Sequence, residues 1–195
     1  MQQRHVFVRS FGVTALLLAA AWGSIASSQT TRQEPPARFV RGPWSDARIV
    51  TRIKFRQVEP NPLGDIEILA TREVLAVQER TITARMSGSV NGKERAPQQG
   101  PMPRFLSPGE FKKMSTPWGQ KEGRKTLTIA GKSVACDVYR KTEKHPTRDI
   151  VGVQKTYISE DVPSWVVKVV KEYQGEGKTS ESVPYIIMDF TWGPK

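Results

Sequence analysis

The sequence predicts a mainly β protein, of the β-rich α+β class, with a single antiparallel sheet that is curved or shaped as a half-barrel and one short helix. Two observations carry this prediction. Apolar and polar residues alternate along several stretches of the chain, which is the period of half-buried strands. Turn-forming Gly, Pro and Asn residues separate these stretches, and a single segment has the complete signature of a helix start.

The first 26 residues predict export from the cytoplasm. Arg4 and Arg9 are followed by a short apolar run over residues 11–22 and then by small residues up to Ala26. This order is typical of a secretory signal peptide. The alternative, a retained membrane anchor, is disfavoured because the run is shorter than the roughly 20 residues that a bilayer span needs. We therefore expect a periplasmic or secreted mature chain without a transmembrane segment.

The chain after the signal peptide divides into a leader and one domain. Residues 27–43 are polar and Pro-rich without an apolar period, which predicts a disordered leader. Residues 44–195 are enough for a single β-rich domain with its own core. The net charge of +11 suits either an anionic envelope polymer as partner or a surface that is merely well solvated.

The clearest strand pattern in the first half is RIVTRIKFR, residues 48–56. One face is apolar and the other is basic: the first comprises Ile49, Thr51, Ile53 and Phe55, the second Val50, Arg52, Lys54 and Arg56. Because side chains alternate across a strand, we expect the apolar set to face the core.

Further strands are expected at 66–77 and 81–86, after a turn at 61–65. Residues 87–103 are rich in Gly, Pro and polar side chains, which predicts a long loop with a hairpin turn at Asn91-Gly92.

A short helix is predicted over residues 107–116. Ser107 is placed to cap its N-terminus, Pro108 occupies the first helical position, and Glu110 completes a capping box. Pro117 limits its length.

The second half predicts a meander of strands. Residues 124–129 and 133–139 form a hairpin around Ala130-Gly131-Lys132, followed by a polar loop at 142–148 and strands at 150–158 and 183–192. The one cysteine, Cys136, cannot form an internal disulfide and is expected to be a small buried side chain.

The segment KTYISEDVPSWVVKVVKE, residues 155–172, has two competing interpretations. Apolar residues recur from Val162 to Tyr173 at helical spacing, which favours an amphipathic helix. Its many β-branched valines and Pro163 favour a strand, a turn at 160–163 and a second strand. We predict the strand pair, with Trp165, Val167, Val169 and Tyr173 on one face.

The sequence shows no pattern that would support catalysis. His145 is the one histidine beyond the signal peptide, and the serine-elbow, zinc-protease, Cys-x-x-Cys and phosphate-loop motifs do not occur. A structural zinc site needs about four Cys or His ligands. We predict a protein without catalytic activity, metal or cofactor. A carboxylate-based hydrolase stays as an alternative, because paired carboxylates are brought together only by the fold.

A sheet that carries a helix can hold an apolar ligand between the two. The candidate ligand-binding residues are Phe111, Met114, Trp118 and Trp165, and the alternative is that they belong to an ordinary core. We expect no nucleic acid partner, because Phe55 lies opposite the basic stripe and no aromatic residue interleaves with it.

A family resemblance comes from residues 155–168, KTYISEDVPSWVVK, which follow the hairpin TLTIAGKSVACDVYR. The aromatic-x-Ser-x-x-Val-Pro turn resembles that of uncharacterised secreted bacterial proteins, which are similar in architecture to the LolA/LppX-like group of periplasmic carriers. The resemblance covers residues 124–192. It implies a curved half-barrel, covered by helices, that binds lipid, and it transfers no functional residue.

These observations together predict an exported, non-catalytic binding or envelope-associated protein that holds an apolar or lipid ligand. The alternative is a structural or interaction protein that docks on anionic envelope polymers through its basic face.

Overall fold

One antiparallel sheet dominates the computed structural model, which describes residues 39–144, 150–175 and 178–194. The predicted signal peptide, residues 27–38 of the predicted leader, and His145 lie outside these ranges. The elements in chain order are β1 (Val40–Arg41), β2 (Arg52–Glu59), β3 (Ile66–Val77), β4 (Thr81–Val90), β5 (Lys93–Pro103), β6 (Phe105–Leu106), helix α1 (Pro108–Ser115), a 3₁₀ turn (Thr116–Trp118), β7 (Gln120–Ile129), β8 (Lys132–Lys144), β9 (Ile150–Ile158), β10 (Val166–Gly175) and β11 (Lys178–Thr191). The predicted mainly β fold with one short helix is confirmed.

Nine strands form the large sheet in the order β5-β4-β3-β2-β11-β10-β9-β8-β7, and β1 pairs with β6 in a separate ribbon. The last strand, β11, therefore lies between β2 and β10 and joins the two halves of the chain. Val40 and Arg41 pair with Leu106 and Phe105, so residues 39–43 of the predicted leader belong to the folded part. No helix within the described ranges is long and apolar enough to cross a bilayer.

The sheet is strongly curved because bulges interrupt its ladders. The irregularities fall between Val74 and Ala76, Met86 and Gly88, Lys121 and Gly123, Val166 and Lys168, Val169 and Lys171, and Ile187 and Asp189. Each bulge bends its strand and increases the local twist. The curl brings Lys132, in β8, to β11, where its Nζ donates to the carbonyl oxygen of Phe190 over 2.5 Å.

The main core lies on the inner, concave face of this sheet. Residues from both ends of the sheet, such as Ile82 in β4 and Val134 in β8, belong to one apolar cluster, which requires the face that they share to be concave. Trp44 and Ala47, from the segment before β2, pack into the same cluster. Cys136 is fully buried there, as predicted, and burial raises the pKa of its thiol to about 11.

Two predictions in the first half are wrong. Residues 87–103 are not a loop: they complete β4 and form β5, an exposed edge strand. The predicted Asn91-Gly92 turn joins them, and both of its residues have positive φ, as a two-residue hairpin turn requires. Ile49 is exposed because β2 begins only at Arg52, whereas Thr51, Ile53 and Phe55 are buried as predicted.

The strand-turn-strand interpretation of residues 155–172 is confirmed, with β9 ending at Ile158 and β10 beginning at Val166. The expected common face is wrong, because bulges change the alternation within β10. Val167 and Val170 belong to the concave-face core, whereas Val169 does not. Ser164 and Trp165 complete the connection in left-handed backbone, with φ of 82° and 59°. Of the predicted polar loop at 142–148, residues 142–144 are the end of β8 and the rest lies outside the described ranges.

The predicted capping box at α1 is confirmed. The Glu110 backbone N–H donates to Ser107 Oγ over 3.2 Å, and the Ser107 backbone N–H donates to Glu110 Oε2 over 2.7 Å. The second bond is the main reason that the pKa of Glu110 is lowered.

We expect the Ser107→Ala substitution to lower the free energy of unfolding by about 1 kcal/mol at neutral pH. A depressed carboxyl pKa stabilises the fold above the unfolded-state pKa, and this stabilisation is lost as the pH falls through the folded-state pKa. The wild type should therefore lose its advantage over Glu110→Gln on acidification. Urea denaturation of the wild type and both variants at several pH values measures these differences in the free energy of unfolding. If the wild type became more stable relative to Glu110→Gln as the pH falls, the direction of the Glu110 pKa shift would be contradicted.

Candidate ligand site on the concave face

The structure brings three of the four predicted site residues together, on the outer face of the sheet. The Phe111 ring lies edge-on to Trp118 and Trp165, with centroid distances of 6.4 and 6.3 Å. Trp118 also packs on Tyr139 of β8 at 5.6 Å. Met114, the fourth predicted residue, is half-buried on helix α1, which also carries Phe111. These edge-to-face contacts are those of packed aromatic side chains, and a ligand role for the four residues stays a prediction.

The basic stripe of β2 also lies on the outer face, as predicted, since Ile53 and Phe55 on the other side are buried. Its charge is partly balanced by neighbouring strands. Arg56 Nε lies 2.5 Å from Glu67 Oε1, and Arg52 stands opposite Glu73 in the β2–β3 register. Exposed ion pairs of this kind reduce the attraction for a distant polyanion.

A different basic residue, Arg72 of β3, lies on the concave face. It stands opposite Ile53 of β2 and Met86 of β4. Its guanidinium carbon is 5.8 Å from the centre of the Trp44 ring and 5.9 Å from that of Phe55. Guanidinium groups stack favourably on aromatic faces at such distances. Arg72 is thus held in a fixed position by two buried rings.

The Arg72 guanidinium has almost no hydrogen-bond acceptor. Within the described ranges its one acceptor is Met86 Sδ, 4.0 Å from an Nη atom, and it forms no ion pair. The acids beside it in β3 are directed to the outer face, where Glu67 pairs with Arg56 and Glu73 with Arg85. Burial accordingly lowers the pKa of Arg72. A half-buried cation in apolar surroundings is costly when it has no anionic partner, and most of the five N–H donors of Arg72 remain available.

Arg104 shows how this fold treats a buried arginine that has a structural role. It is 4 % exposed, and its Nε donates to the Ser45 carbonyl over 3.0 Å. A second nitrogen reaches the Gln78 carbonyl at 3.4 Å. Arg104 therefore ties the segment before β2 to the β3–β4 turn, whereas Arg72 forms no equivalent bond with the part of the chain that the structure describes.

Several apolar side chains around the concave-face core are only half-buried, as Arg72 is. The partly exposed apolar side chains that pack against the core are Ile68, Met86, Met102, Leu127, Val183 and Tyr185. Ile68 and Tyr185 both stand opposite Gln57, so they lie in one row across the concave face. We call this surface, with Arg72, Trp44, Phe55, Met86, Ile68 and Tyr185 as its members, the Arg72 trough.

Tyr185 supplies a second polar group in the Arg72 trough. Its ring packs on Phe55 with centroids 5.6 Å apart. Burial raises the pKa of Tyr185 to about 12, while Ser164 and the charge of Arg72 act in the opposite direction. The phenol is therefore a neutral hydrogen-bond donor at physiological pH, close enough to Arg72 to feel its charge.

Sequence reasoning missed Arg72, although a signal for it exists. In β3 the alternation Ile68, Ala70, Arg72, Val74 places an arginine at an apolar position. A charged residue on the buried face of a strand is rare unless it has a partner or a function.

Comparisons with family models, curated proteins and solved structures gave no match for this chain. The resemblance to LolA/LppX-like carriers therefore stays a prediction, and the residues of the Arg72 trough have to carry the functional argument.

Proposed function

We propose that this protein is an exported, non-catalytic binding protein that holds a single-chain anionic amphiphile in the Arg72 trough. One observation carries the proposal: a guanidinium positioned by Trp44 and Phe55, without an anionic partner in the described ranges, lies in a half-open apolar surface. An acidic head group would pair with Arg72 in the two-pronged geometry that carboxylates and phosphates share.

Apolar side chains farther along the same face account for the rest of the ligand. An alkyl chain lying on Ile68, Met86 and Tyr185 would remove their half-exposed surface from water, at about 25 cal/mol per Å² of apolar area. A ligand with both parts therefore suits the site better than a small inorganic anion or a neutral hydrocarbon. Ligand sites generally combine such an apolar lining with a few polar groups that fix orientation.

The proposal predicts a specific dependence on Arg72. We expect decanoate to bind the purified protein, and the Arg72→Gln variant to bind it roughly tenfold to a hundredfold more weakly, because a hydrogen bond to a charged group contributes about 1.5–3 kcal/mol. Decanol should bind both proteins equally, and butyrate should bind neither measurably. Titration calorimetry supplies the affinities.

The matched control is Arg52→Gln, which removes the same charge from the outer face of the neighbouring strand. Its decanoate affinity should equal that of the wild type. The proposal is wrong if a folded Arg72→Gln variant keeps wild-type affinity, if both Gln variants lose affinity equally, or if the wild-type protein binds no decanoate.

A further inference from the structure

A second unpaired cation, Lys171 of β10, lies on the outer face of the sheet. The residue is 8 % exposed and forms no hydrogen bond or ion pair within the described ranges. Burial lowers the pKa of Lys171, with Glu143 acting weakly in the opposite direction. The amine is thus shifted toward its neutral, nucleophilic form.

Lys171 borders a small cleft of about 60 Å³ formed by β8, β9 and β10. Gly152 leaves room at the floor, where an added Cβ would lie 3.5 Å from the Tyr173 ring. Gln154 and Glu143 line the walls. The ladder register places Glu143, Gly152 and Tyr173 in one row and Gln154 beside Lys171 in the next.

The charged groups around the cleft are already paired with one another. Glu143 Oε1 lies 2.5 Å from Lys141 Nζ, and Glu172 Oε1 lies 2.8 Å from Lys155 Nζ. Neither carboxylate is therefore committed to Lys171. A lysine that is desolvated by burial at an open cleft has the neutral amine favoured, which covalent chemistry requires.

We propose that Lys171 is a nucleophilic amine that captures short-chain aldehydes as imines in this cleft. The small volume of the cleft suits a short-chain aldehyde better than a bulky one. This site is on the opposite face from the Arg72 trough and does not depend on the function proposed for it.

The capture balances without a further reagent. The nitrogen lone pair of neutral Lys171 attacks the carbonyl carbon, and the C=O π pair moves to oxygen. A proton passes through water from nitrogen to that oxygen to give a carbinolamine. The C–O bond then breaks, the nitrogen lone pair forms C=N, and the oxygen leaves as water with the second nitrogen proton. The sum is aldehyde plus amine to imine plus water.

Reductive trapping tests the proposal on the purified protein at pH 7. Propanal with cyanoborohydride converts each imine into a stable propyl-lysine, and peptide mass spectrometry gives the rate at every lysine. We expect Lys171 to be alkylated severalfold faster than Lys168 of the same strand, because a lowered pKa leaves a larger fraction of the Lys171 amine neutral at this pH. Benzaldehyde, whose ring is bulkier than propanal, should favour Lys171 less than propanal does.

Two comparisons make the test decisive. Lys171→Arg keeps the charge but cannot form an imine, so the fast site should disappear while the rates at Lys112 and Lys125 stay unchanged. The rates within the wild-type protein are informative even if this variant does not fold. Alkylation of Lys171 no faster than that of Lys168, or an equal preference for Lys171 with benzaldehyde, would overturn the proposal.

Discussion

Arg72→Met is expected to raise the free energy of unfolding by about 1 kcal/mol while it weakens decanoate binding tenfold or more, because a half-buried charge that has no anionic partner in the described ranges opposes folding. Methionine has a similar reach, fills irregular gaps and packs favourably on aromatic rings. Its neighbours would be Trp44, Phe55 and Met86, which are all apolar. Urea denaturation measures the change, and an unaltered m-value would show that the gain belongs to the folded state.

The same substitution at Arg104 is the matched control and should have the opposite sign. Arg104→Met leaves the carbonyls of Ser45 and Gln78 without their donors, at a cost of about 1–3 kcal/mol for each buried group. If Arg72→Met and Arg104→Met lowered the free energy of unfolding equally, Arg72 would have a structural role. Stability gained together with binding lost identifies a residue that is kept for function at the expense of the fold.

Gly119→Ala is expected to cost about 3 kcal/mol or more, from a strained backbone and a steric clash together. Gly119 has φ of 86° and links the 3₁₀ turn to β7. An added Cβ would lie 2.2 Å from the Arg140 carbonyl oxygen. Arg140 cannot move away without breaking its pairing with Gln120, so β7 and the turn that carries Trp118 would have to shift.

Two other glycines separate the contribution of backbone strain from that of the steric clash. Gly131 has φ of 79° but nothing within 4 Å, so Gly131→Ala should show the strain alone, about 1–2 kcal/mol. Gly109, in α1, has neither feature, and Gly109→Ala should be neutral or stabilising by up to about 1 kcal/mol. Denaturation midpoints should rank Gly119→Ala lowest by a clear margin, and a value equal to that of Gly131→Ala would rule out the clash.

The candidate site was predictable only in part, for a physical reason. Phe111, Trp118 and Trp165, which are predicted as ligand-binding residues, do lie together, but their ligand role stays a prediction. Whether an arginine is paired depends on which strands flank it. The outer-face pairs Arg56–Glu67 and Arg85–Glu73, and the unpaired state of Arg72, follow from the order and register of β2, β3 and β4.

The sequence alone determined those parts of the protein whose cause is local. The capping box of Ser107 and Glu110, the Asn91-Gly92 turn and the alternation around Ile53 all depend on residues within a few positions of one another. The sequence did not predict strand β5, because its exposed position at the sheet edge tolerates proline and gives no apolar period.

Only the tertiary structure decided the curvature of the sheet, which of its faces is concave, and which side chains of β10 point to the core. Bulges form where a strand must match two partners at once, and each inserted residue exchanges the faces of the side chains that follow. That exchange placed Val170 in the core and Lys171 at the outer cleft, and it produced the spacing that imitates a helix in residues 162–173. The alternation within residues 166–175 cannot be read from those residues alone, because β10 must pair with β9 and β11 at the same time and the bulges reconcile the two registers.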